Sequence, residues 1–117
     1  MDGKEELYDL SQLIAVSRGN DAFVKKMVDI FCSETAGMLN KMTQAYYAGN
    51  LEKMGDMAHR IKPSIDNLKI SALKQTIRDV EKMGSGEMVV AGLEEALDKM
   101  ARIINDVISS LRSKYPA

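Results

Sequence analysis

A chain of 117 residues, 45% hydrophobic and 28% charged, has room for one domain (1–117) and the balance of an ordinary globular protein. Sixteen basic against seventeen acidic side chains leave a formal charge of -1, which argues against nucleic acid or an anionic membrane as the main partner. One histidine (His59) and one cysteine (Cys32) exclude a zinc site of the usual Cys/His type, an internal disulfide and a two-histidine ligand cluster, so no metal site is expected.

The chain starts acidic and polar, Met1 to Glu6, with no apolar stretch of signal-peptide length behind it. No window approaches the ~18 consecutive apolar residues of a membrane span. A reduced, cytoplasmic setting is therefore expected, with Cys32 a small core hydrophobe.

Long intervals with helical period between sparse Gly and Pro predict an all-α chain. A short first helix starts at Asp9, with Gln12 at the reciprocal third position and Tyr8 stapling onto Leu13, and ends at Arg18-Gly19. Asn20 caps a long second helix that places Phe23, Met27, Ile30, Phe31, Met38, Met42, Ala45 and Tyr46 on one face. Gly49-Asn50 forms the next stop and cap. Leu51, Met54, Ala58, Ile61, Ile65 and Leu68 then follow at steps of three and four, the seam of a helix packed nearly parallel to its neighbours. Pro63 is its one irregularity and should bend it.

After the connection Lys69-Ile70-Ser71, a fourth helix with Leu73, Ile77 and Val80 on its seam runs up to Gly84-Ser85-Gly86. The last carries Val90, Leu93, Leu97, Met100, Ile104, Val107 and Leu111 and stops near Pro116. These segments describe an antiparallel four-helix bundle with a short additional N-terminal helix. Nine methionines, Met27, Met42, Met54 and Met100 among those on seams, read as core filler or as an adaptable docking surface.

His59 directly follows the seam residue Ala58, which places it beside the seam and toward solvent. Helical side chains lean toward the N-terminus, so its ring should lie over the turn of Gly55 and Asp56, where a glycine allows another molecule to come close. Lys62 lies on the neighbouring turn of the same surface, able to stabilise a doubly charged group on the imidazole. If the third and fourth helices reverse near Ile70, the residues level with His59 are Glu81 and Lys82, with Arg78 one turn away. Glu81 is placed to orient the ring and Lys82 or Arg78 to add charge, although each reads first as an ordinary surface residue.

The run Ala58-His59-Arg60-Ile61-Lys62-Pro63-Ser64, continued by Asn67-Leu68, resembles the signature of histidine-containing phosphotransfer (HPt) domains, roughly Ala-His-x-Leu-Lys-Gly-Ser-x-x-x-Leu-Gly. Length, helix order and the place of the motif in the third helical segment are also similar. The chain departs from the pattern at two glycine positions, occupied here by Pro63 and Lys69.

The resemblance implies a phosphorelay step, in which a phosphoryl group passes from a receiver-domain aspartate to His59 (Nε2) and on to a second receiver. Lys62 would stabilise the charge, and Gly55, Asp56, Arg60, Pro63, Ser64 and Asn67 would be exposed docking residues. Receiver domains of response regulators or hybrid histidine kinases would be the partners. The protein would be a monomeric phosphocarrier with no cofactor and no kinase activity; by this account magnesium belongs to the receiver's acidic pocket. The departures at Pro63 and Lys69 leave open a non-catalytic adaptor that docks a receiver or another signalling partner without transfer. An enzyme with an arginine-lined pocket fits less well, because the seam positions that would line it hold no charge.

Overall fold

The structure, a computed structural model, describes residues 7–116, so the acidic start Met1 to Glu6 lies outside the described residues. It contains five α-helices, α1 (Ser11–Ser17), α2 (Asp21–Tyr47), α3 (Leu51–Asn67), α4 (Lys74–Ser85) and α5 (Leu93–Lys114), and a 3-10 turn over Ser71–Leu73; no strand occurs among the described residues. Helices α2 to α5 close into a ring, each packing on the next and α5 returning to α2, with α1 laid against α2. Short connections force neighbouring helices to run antiparallel, which makes this the expected four-helix bundle.

Local chemistry sets the boundaries. Asn20 accepts the Phe23 amide at 3.1 Å and Asn50 the Lys53 amide at 3.0 Å, starting α2 and α3. Gly49 at φ 78° and Gly86 at φ 84° provide the left-handed turns that end α2 and α4. At α1 the cap differs from expectation: Leu10 occupies it with no side-chain bond, while the Asp9 carboxylate accepts the Ser11 amide at 2.8 Å, one position early. The Asp9 amide in turn donates to the Leu68 carbonyl at 2.8 Å, tying the entry of α1 to the end of α3.

The α3 seam is buried as its spacing predicts, with Met54, Ala58, Ile61 and Ile65 at 1% exposure or less; Met42, Leu73, Ile77, Val80, Met100, Ile104 and Leu111 complete the core. Burying each large side chain is worth about 1.5–3 kcal/mol against leaving it in water. Cys32 is a buried free thiol, and burial pushes its pKa up. Helix α3 runs unbroken through Pro63.

Two seam assignments need correction. In α2 the buried row is Val24, Val28, Phe31, Cys32, Thr35, Leu39, Met42 and Ala45, whereas Phe23 and Ile30 are more than a third exposed. The helix is apolar on two adjacent stripes, and a count of three- and four-residue steps cannot say which one enters the core. Val90, placed on the α5 seam by the same counting, lies before the helix and is 45% exposed.

Candidate functional site

His59 is on the α3 turn directly after Gly55, where α3 meets the Gly84 backbone of α4. Its side chain is 69% exposed, and its Nδ1 lies 2.6 Å from Oε2 of Glu81 on α4. The other carboxylate oxygen of Glu81 accepts a hydrogen bond from Lys62 Nζ at 2.7 Å, so one carboxylate joins both α3 side chains. The Lys62 bond lowers the Glu81 pKa below the usual carboxylate range; the His59 bond adds to this and burial works against it.

An ionised carboxylate only accepts. In the neutral ring, Nδ1 must then carry the proton and donate it to Glu81, which leaves the lone pair on Nε2. No partner for Nε2 is found among the described residues. The arrangement presents a nucleophilic nitrogen to an incoming molecule with its tautomer already fixed.

At 3.6 residues per turn, Asp56, Arg60, Pro63 and Asn67 share the outer face of α3 with His59, and all four are exposed. Ser64 is half-buried at the edge toward α2. Pro63 has no amide to donate to the His59 carbonyl, which stays without its intrahelical partner. Gly55 is not exposed: it is buried because α4 occupies the space its missing side chain leaves, with Gly84 directly opposite. Both glycines line the floor of an open hollow that also takes in Asp56, His59 and Glu81, so Gly55 serves the approach of two helices beneath the site in place of an exposed docking position.

Of the three α4 residues singled out, only Glu81 meets His59. Arg78 pairs with Asp66 at 2.8 Å and bonds the Lys74 carbonyl at 2.7 Å, and Lys82 is exposed with no side-chain partner found among the described residues.

Beside the His59 face lies an apolar groove that the spacing alone does not reveal. Leu13 and Val16 of α1, Phe23, Met27 and Ile30 of α2, Ser64 and Asn67 of α3, and Leu68 just after it line it. Its α2 members fall on the stripe that the spacing places inward. The signal was the second apolar stripe of α2, which has no place inside a bundle already filled by Val24, Val28 and Phe31.

Comparison with protein-family models matches the Hpt domain over residues 26–113. The chain belongs to the Hpt domain family. It is accordingly a histidine phosphotransfer protein of a phosphorelay, a phosphocarrier without kinase activity, and receiver domains are the partners with which Hpt domains interact. No curated protein and no solved structure matches the sequence. Among the described residues no group of His, Cys, Asp and Glu is arranged to hold a metal ion, and no helix is long and apolar enough to cross a membrane.

Proposed function

We propose that His59 is the phosphoacceptor of this Hpt domain, reacting through Nε2. The observation that carries the assignment is the exposed imidazole whose Nδ1 is held by the Glu81 carboxylate at 2.6 Å. In the forward step the Nε2 lone pair attacks the phosphorus of a receiver's aspartyl phosphate. An N–P bond forms, the acyl O–P bond breaks, and the aspartate leaves as carboxylate. The ring keeps its Nδ1 proton and becomes a cationic phosphoimidazole, whose charge Glu81 offsets. That retained proton also serves onward transfer, because the ring then leaves as neutral imidazole and not as the far more basic imidazolate. Little covalent chemistry is asked of the protein, which mainly positions the groups and balances charge.

Lys62 stabilises the charge of the transferred group. Its flexible stem lets the ammonium turn from Glu81 toward the phosphoryl oxygens while remaining beside the carboxylate. A receiver docks over Asp56, Arg60, Pro63, Ser64 and Asn67, with its apolar contacts in the groove of α1 and α2. Receivers of response regulators or hybrid histidine kinases meet the protein as a monomer, since one exposed imidazole needs no second copy. The chain acts as a single domain in the cytoplasm.

Incubation with a phosphorylated receiver tests the reading. The expected label on this chain is acid-labile and base-stable, and His59→Gln takes up none. Binding of receivers without any label would replace transfer by the adaptor reading.

A further inference from the structure

Helices α3 and α4 touch through two glycines. A Cβ on Gly84 would sit 2.5 Å from the Gly55 Cα, 2.8 Å from the Gly55 nitrogen and 2.8 Å from the Leu51 carbonyl oxygen. These are backbone atoms, so nothing can turn aside and one helix would have to move. A Cβ on Gly55 would lie 3.1 Å from the Gly84 Cα, a milder conflict. Neither residue has a positive φ, so neither is required by backbone conformation. Gly37 of α2 shows the contrast: a Cβ there meets nothing within 4 Å. Glycine is unfavourable inside a helix, and here two of them face each other at the crossing.

The crossing is next to the site on both helices. His59 follows Gly55 by four residues and Glu81 precedes Gly84 by three, on the same faces of their antiparallel helices, about 6 Å and about 4.5 Å along the axes. The 2.6 Å bond between His59 and Glu81 spans the gap that the glycine contact sets. Glu81 is tied to α3 only through its bonds to His59 and Lys62, both of which need α4 close, and hydrogen bonds weaken steeply with distance and misalignment.

We propose that the Gly55–Gly84 contact is the spacer that holds α4 close enough for Glu81 to fix the His59 tautomer, which makes Gly84 a positioning residue for phosphotransfer. The inference rests on His59 being the phosphoacceptor, but its structural half does not. An alanine at Gly84 wedges the helices apart, lengthens the His59–Glu81 bond and lets the Nδ1 proton move to Nε2, where it blocks the nucleophile.

The test combines Gly84→Ala with ¹⁵N NMR of His59 at a pH where the ring is neutral, and with transfer rates from a phosphorylated receiver. The wild type shows the Nδ1–H tautomer. Gly84→Ala keeps its helical circular dichroism, populates the Nε2–H tautomer and slows transfer about tenfold, while Gly37→Ala changes neither. In a Glu81→Gln background the Gly84 substitution has less than about a twofold further effect, because it acts through Glu81. An unchanged tautomer in Gly84→Ala, or an equal slowing in both backgrounds, would overturn the proposal. If Gly84→Ala does not fold, Gly55→Ala takes its place: a shift toward Nε2–H supports the spacer and an unshifted tautomer refutes it. Transfer to His59→Gln would instead overturn the acceptor assignment, and the tautomer measurement would still decide on the spacer.

Discussion

Nδ1 of His59 lies 2.6 Å from Oε2 of Glu81 across the α3–α4 interface, and with Glu81 ionised the neutral ring keeps its proton on Nδ1 and leaves the Nε2 lone pair open. Glu81→Gln keeps the shape but removes the charge that sets the tautomer and offsets the phosphorylated ring. A hydrogen bond to a charged group is worth about 1.5–3 kcal/mol, so transfer should slow about 10- to 100-fold with little change in fold. Single-turnover transfer from a phosphorylated receiver measures the effect.

The same carboxylate gives a pH dependence. Its folded-state pKa lies below its ordinary value, chiefly through Lys62 and then His59. Its contribution to stability is therefore complete at pH values above the unfolded carboxyl pKa of about 4.3 and is lost as the pH falls through the lower folded value. The urea midpoint of the wild type should exceed that of Glu81→Gln at pH 7, and the gap should narrow toward pH 3. A gap that does not change with pH would show that the ion pair contributes nothing.

Lys62 pairs with Glu81 in the resting protein, and in the proposed mechanism it turns toward the phosphoryl group. Lys62→Ala should slow transfer about tenfold, corresponding to one charge-assisted hydrogen bond, and leave helical content unchanged. An unaltered rate would remove Lys62 from the mechanism.

Lys69 ends α3 with φ 51°, the left-handed region that glycine adopts freely. The signature that this chain resembles has glycine at that position, and the structure supplies the reason. A non-glycine residue there costs about 1–2 kcal/mol, partly offset by the lower unfolded-state entropy of lysine. Lys69→Gly should therefore stabilise the protein by about 0.5–1 kcal/mol, read as a higher urea midpoint at unchanged slope.

The apolar groove beside the site offers a separate prediction. Phe23 is 37% exposed and Ile30 38% exposed, so truncating them removes little core. Phe23→Ala and Ile30→Ala should each weaken receiver binding about tenfold, the loss typical of a central interface residue, with nearly unchanged thermal stability. Calorimetric titration with a receiver distinguishes this from general destabilisation.

Much of this molecule was legible in the sequence because its helices bury one stripe each. The α3 spacing gave the buried row from Met54 to Ile65, and hairpin counting from Ile70 brought Glu81 level with His59. What was not legible has specific causes. The second apolar stripe of α2 is indistinguishable from a core face until α1 and α3 are in place beside it. Gly84 reads as part of a connection, and only the tertiary contact with Gly55 shows why a glycine sits inside α4 at that crossing. Spacing alone marks Lys62 as the cation beside His59 but does not separate Arg78 from Lys82 as a second one, and in the structure Arg78 is held by Asp66 while Lys62 shares Glu81 with the imidazole.

In the proposed transfer one atom, Nε2 of His59, carries the phosphoryl group. Phosphorylating the ¹⁵N-histidine-labelled protein with a receiver and recording ¹⁵N–³¹P couplings tests it directly. The predicted result is a single coupling to Nε2 of His59, absent in His59→Gln. A phosphoryl group on Nδ1, or on any other residue, would contradict it.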